Sequence, residues 1–175
     1  MGEDPLALET RRRLYDAVRR VPGIGGREAQ RAAGTGWGET VYHLDRLTDS
    51  GLLHRERSGH QDHYFLAEVP LADRRLLGLM RSPAARRLAA ALLEHGVQTV
   101  PELTERTGLS LGRLSIHLRR LTETGLVSTG RRGRLRTFEA GDPERVMRLF
   151  VAYREGFADE WLERLIDTWS ELFRP

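Results

Sequence analysis

Apolar positions recur along this chain in a pattern that runs twice. Leu6, Leu14, Ala17 and Val18 fall at helical spacing, so residues 6–20 predict a first helix, ended by Gly23, Gly25 and Gly26. Residues 27–33 predict a short second helix and Gly34 with Gly36 a turn. Trp37 to Ser50 predict a third helix, stopped by Gly51 just past its end. Leu52–Arg57 and His63–Leu66 then read as two strands joined through Ser58-Gly59.

From Ser82 the plan starts again with stronger punctuation. Ser82-Pro83 is an N-cap with proline at the first helical position. Thr99-Val100-Pro101-Glu102 has the spacing of a capping box. Gly108 turns the chain, Ser110 caps a third helix, and Gly125 ends it. Leu126–Arg131 and Arg134–Glu139 predict a hairpin with Arg132-Gly133 at its tip. Three helices followed by a two-stranded hairpin is the order of a winged helix-turn-helix domain. Residues 68–81, with Leu71, Leu76, Leu77 and Met80, predict a linking helix.

The two runs are one unit duplicated at an offset of 74 residues. Tyr42 to Leu53 aligns with Ile116 to Val127, and seven of those twelve pairs are identical. Leu14, Glu28, Gly34, Gly38 and Gly59 match Leu88, Glu102, Gly108, Gly112 and Gly133. The predicted architecture is mainly α with small β-hairpin wings. It has a first winged domain over 6–67, a linker helix over 68–81 and a second winged domain over 82–140. Asp142-Pro143 then opens a long C-terminal helix over 142–174, about 48 Å at 1.5 Å per residue, which Gly156 is placed to kink. Its apolar positions include Phe150, Tyr153, Phe157, Trp161, Leu165 and Trp169, and a stripe this apolar needs a cover. The expected cover is a second copy of the chain, with packing back onto the two domains as the alternative.

Composition narrows the class. The chain has no cysteine, which removes disulfides and thiolate metal sites. No apolar run nears the roughly 20 residues that span a bilayer, and no signal peptide opens the chain, so a cytoplasmic, nucleoid-associated protein is expected. All 28 basic residues are arginine, and lysine and asparagine are absent, a bias that a GC-rich genome accounts for. Residues 83–139 hold 10 Arg against 5 acids, whereas residues 1–67 hold 10 of each and residues 140–175 are acidic. The second copy is the basic one.

That excess sits where a groove reader needs it. On the helix from Ser110, Leu111, Leu114, Leu118 and Leu121 form the predicted core stripe. The opposite side carries Gly112, Arg113, Ile116 and Arg120, flanked by His117 and Arg119. Arginines there supply donors for guanine edges and phosphates, and isoleucine supplies apolar atoms for thymine methyls. Arg131, Arg132, Arg134 and Arg136 load the wing, with Arg134 and Arg136 expected on one side of a strand. Copy one is weaker. Its outward candidates are Tyr42 and Arg46, flanked by His43, with Arg55, Arg57 and His60 on the wing. Glu39 and Asp45 stand where copy two has Arg113 and Arg119.

The run Leu109-Ser110-Leu111-Gly112-Arg113-Leu114-Ser115-Ile116-His117-Leu118, continuing through Leu121 to Gly125-Leu126-Val127, resembles the recognition-helix signature of ArsR/MarR-type winged-helix regulators. The doubled arrangement over residues 10–139 is similar to archaeal predicted regulators with two such domains. The resemblance implies a DNA-binding transcription factor, with the role falling on Arg113, Ser115, His117 and Arg120, and on Thr40 and His43 in copy one. The cysteine sensing sites of that family are missing here.

Other chemistry is thin. His60 and His63 point to opposite faces of a strand, so no metal site is expected. No lysine completes a phosphate loop, and no nucleophile sits in a strand-turn context. The expectation is a non-enzymatic, cofactor-free regulator, homodimeric through its C-terminal helix and bound to double-stranded DNA. Its rivals are an architectural DNA-coating protein and a winged-helix interaction scaffold.

Overall fold

The computed structural model describes residues 5–58, 60–157, 162–164 and 166–168. It divides into two units, Met1–Gly78 and Leu79–Pro175. In the first, helices α1 (Glu9–Arg20), α2 (Gly26–Ala33) and α3 (Trp37–Asp49) are followed by strands β2 (Leu53–Ser58) and β3 (Gln61–Leu66). A two-residue strand β1 (Ile24–Gly25) sits between α1 and α2 and pairs with β3, giving a sheet of order β1-β3-β2. Helix α4 (Leu71–Met80) crosses the boundary between the units.

The second unit repeats each element. Helices α5 (Pro83–His95), α6 (Val100–Thr107) and α7 (Leu111–Glu123) precede strands β5 (Val127–Arg132) and β6 (Leu135–Ala140), and strand β4 (Gln98–Thr99) pairs with β6. The periodicity of the sequence anticipates both hairpins to within a residue or two. It does not show β1 and β4, because two residues are too few to carry a period.

The duplication extends to individual hydrogen bonds. At the end of α3 the Gly51 and Leu52 N–H groups donate to the Thr48 and Leu47 carbonyls, and at the end of α7 Gly125 and Leu126 donate to Thr122 and Leu121. These are Schellman closures, and they require a left-handed residue. Gly51 and Gly125 supply it, with φ of 76° and 74°. The same side chains then fill the two cores. Leu14, Val18, Leu44 and Leu47 in the first unit have Leu88, Leu92, Leu118 and Leu121 as counterparts in the second, and all eight are buried. Each buried leucine contributes roughly 1.5–3 kcal/mol. Phe65 and Phe138 rise from β3 and β6 to close the cores from the sheet side.

Three expectations need correction. The long C-terminal helix is not continuous: α8 (Pro143–Ala152) ends one turn short of Gly156, and a 3-10 turn, Arg154–Gly156, follows it. Helical residues reappear at 162–164 and 166–168. Its start is as predicted, with the Asp142 carboxylate accepting from the Arg145 N–H at 2.9 Å. Secondly, Phe150 and Phe157 do not form an open dimer face. They are 1% and 4% exposed and meet edge to face at 5.7 Å between centroids, with the Arg86 guanidinium 5.4 Å from the Phe157 ring. The break after Ala152 lets the second ring fold back onto the first. Tyr153 is half-buried, while Trp161, Leu165 and Trp169 lie outside the described residues, as does Gly59 of the first hairpin tip. Thirdly, Leu111 leaves the core stripe and is 62% exposed. It is the first residue of α7, where the stripe runs past the edge of the domain. Trp37, at the same place in α3, is exposed as well.

Candidate nucleic-acid interface

Helix α7 is held by one face and free on the other. Leu114, Leu118 and Leu121 are buried, whereas Arg113, Ser115, Ile116, Arg119 and Arg120 are all exposed. Ile116 is 47% exposed, an unusual position for a branched apolar side chain among arginines. Arg119 is partly used within the helix, 3.8 Å from Glu123. Arg113 and Arg120 have no acidic partner among the described residues. Their charge is felt by His117, whose pKa lies below the ordinary 6.5, first through partial burial and then through Arg120 and Arg113. A neutral imidazole at the flank therefore adds a hydrogen-bonding group and no further positive charge at neutral pH.

The wing places its four arginines differently from the sequence expectation. Arg134 lies in the turn rather than on the strand, so it does not share a strand side with Arg136. Arg136 instead stands directly across the ladder from Arg131, and its guanidinium lies 5.2 Å from the Phe138 ring. Arg132 is exposed but bonded within its own unit: its Nη1 donates to Glu102 at 3.3 Å and its Nη2 to the Val97 carbonyl at 3.3 Å. Glu102 also accepts from the Thr99 N–H at 2.6 Å and hydroxyl at 2.7 Å, and these contacts hold its pKa below the ordinary value. The predicted box spacing is used, with the threonine hydroxyl turned to the carboxylate.

In the first unit most of the corresponding groups are spent internally. Thr40 is fully buried, with its hydroxyl bonded to the Gly36 carbonyl at 2.8 Å and to the Thr35 hydroxyl at 2.6 Å, so it offers nothing to a ligand. His43 is also buried: Nε2 is 3.9 Å from Glu39, and Nδ1 has no hydrogen-bond partner. Burial first, and then Arg11, push its pKa below 6.5 against the pull of Glu39. Both residues fail as candidates because α3 turns their side of the helix to its own core. Arg55 is paired with Asp45 at 2.8 Å, and Glu39 accepts from the Thr10 hydroxyl at 3.1 Å. Tyr42, at 56% exposure, and Arg46 and Arg57 remain accessible. His63 Nδ1–H donates to the Gly23 carbonyl at 2.8 Å, which makes it a clip between β3 and the α1–β1 turn. Among the described residues no cluster of three or more potential ligands is arranged for a metal, and no helix is long and apolar enough to cross a membrane.

Residues 8–77 match a family model described as an N-terminal HTH domain, and residues 82–129 match the model of the bacterial regulatory protein, arsR family. None of the curated proteins matches the chain. Among solved structures, the chain is similar to reduced HlyU from Vibrio cholerae at 21% identity, over 59% of this chain and 90% of that one, with a TM-score of 0.39. It is similar to M. tuberculosis Rv0081 at 25% identity, over 58% and 97%, with a TM-score of 0.43. It is similar to AbfR of Staphylococcus epidermidis at 20% identity, over 59% and 84%, with a TM-score of 0.41.

Proposed function

Two helix-turn-helix domains in tandem, the second of the ArsR regulatory type, support a DNA-binding transcriptional regulator, and from that premise we propose that the second unit is its principal DNA reader. In this reading α7 enters the major groove and the β5–β6 wing lies along the backbone. The observation that carries it is the outward face of α7, where Arg113 and Arg120 flank an exposed Ile116 with no acid among the described residues to neutralise them. Guanidinium groups so placed reach guanine edges or phosphates, and the isoleucine suits a thymine methyl. The first unit supports a lesser role, because Asp45 holds Arg55 and Glu39 faces outward.

The domain limits 6–67 and 82–140 belong to the same proposal, as does a homodimer. With Phe150 and Phe157 covered, the dimer is assigned to the C-terminal segment beyond α8, with Tyr153, Trp161, Leu165 and Trp169 as its candidates. The test is binding to a panel of unrelated duplexes across a salt series, beside the double variant Arg113→Ala/Arg134→Ala. A regulator prefers a subset of duplexes by about a thousandfold or more. A preference near unity would favour an architectural protein instead. Undiminished affinity in the double variant would favour an interaction scaffold.

A further inference from the structure

The wing contains a conflict that the fold alone does not resolve. Arg131 and Arg136 are opposite each other on β5 and β6, so both side chains rise from one face of the hairpin. Like charges in that relation repel. Neither has an acid beside it among the described residues, although Glu139 lies on the same strand and is bonded to Ser128. Arg134 adds a third guanidinium at the tip. Arg132, the fourth, faces the other way and is occupied by Glu102 and the Val97 carbonyl. Equal exposure along the sequence therefore conceals two kinds of arginine.

Resting on the reading of the second unit as the DNA-binding half, we infer that the wing arginines divide by task. Arg131, Arg136 and Arg134 form a clamp for duplex phosphates, and Arg132 is a positioning residue that ties the hairpin to the start of α6 and touches no DNA. An approaching phosphodiester supplies the negative charge that the Arg131–Arg136 pair lacks, and so relieves its repulsion. Phe138 beneath Arg136 limits where that guanidinium can lie. Arg132 sets the angle of the hairpin because its two bonds reach residues 30 and 35 positions earlier in the chain. In the first unit Arg57 takes the place of Arg131, but its cross-strand partner is Asp62, so the pair is neutral there. The clamp is a feature of one copy only.

The experiment uses the full chain, a mixed-sequence duplex of about 30 base pairs, and salt from roughly 50 to 200 mM. Arg131→Gln and Arg136→Gln should each reduce the magnitude of the log–log salt slope by about 0.9, the loss of one phosphate neutralised. Arg132→Gln should weaken binding without changing the slope. Glu102→Gln should reproduce that loss, the double variant should add nothing, and Arg132→Lys should restore part of it. Thermal unfolding of each variant guards against loss of the fold. A slope change in Arg132→Gln equal to that in Arg131→Gln would overturn the division of tasks. Unchanged slopes in Arg131→Gln and Arg136→Gln, with the wild type still binding, would overturn the clamp and leave the α7 reading intact. Absence of duplex binding by the wild type would instead overturn the DNA-binding reading itself.

Discussion

Phe150→Ala distinguishes a core ring from an interface ring. Phe150 is buried within the single chain and packs edge to face on Phe157. A buried aromatic side chain hides about 150–250 Å², which at roughly 25 cal/mol per Å² gives about 4–6 kcal/mol. That figure is an upper bound, since unfolded chains already cover part of the surface. Measured truncations of this kind cost about 3–5 kcal/mol, including the cavity left behind. Against a total stability of about 5–15 kcal/mol the loss is large. In a unit of about 100 residues each kcal/mol moves the midpoint by about 4–8 °C, so a drop of at least 12 °C or so is expected. The assay is thermal unfolding followed by far-UV circular dichroism, at protein concentrations roughly a hundredfold apart, with sedimentation velocity alongside. A core ring gives the same destabilisation at both concentrations. A variant that keeps its unfolding midpoint but loses oligomer mass would show that the ring belongs to an interface and that the packing argument is wrong. Phe150→Leu, which keeps most of the volume, should cost less than about 1.5 kcal/mol and serves as the control.

Three further outcomes are expected. Gly141→Ala would put a Cβ 2.5 Å from the Gly125 carbonyl oxygen, so the β6 end must shift, at about 1–3 kcal/mol; an unchanged midpoint would mean this approach is looser than described. His43 has a depressed pKa when folded, so the unfolded chain binds the proton more readily. Its contribution is therefore complete above pH 6.5 and is lost as pH falls below that value through the folded pKa. The acid slope of the unfolding midpoint should flatten in His43→Gln, and an identical slope would remove His43 as the cause. Asp45→Ala removes the acid paired with Arg55 and keeps its Tyr64 hydrogen bond, leaves stability within about 1 kcal/mol, and should strengthen duplex binding with a salt slope steeper by about 0.9. No change in affinity would place the first wing away from DNA.

Much of the fold is legible in the residues because its causes are local. Glycine after a helix, proline at its first turn and leucines at helical spacing act on their own neighbourhoods, and the offset of 74 residues lets each copy support the reading of the other. Leu111 escaped that logic because rotation about the helix says nothing of where the domain ends. The C-terminal apolar positions misled for a related reason. A helical period identifies residues that need burial and does not name what buries them, so Phe150 and Phe157 read as a continuous face although a turn folds one ring onto the other.

The sequence by itself determined two winged units and the concentration of arginine in the second. Hydrophobic period, turn chemistry and charge count are properties of the chain before it folds. Only the tertiary structure decided which of those charges remain free. Thr40 and His43 were removed by burial, Arg55 by Asp45, and Arg132 by Glu102, while Arg113, Arg120 and the Arg131–Arg136 pair were left facing outward. A charge is neutralised by whatever lies within a few ångströms of it. For Arg132 that neighbour is 30 residues away in the chain, a distance that no local pattern encodes.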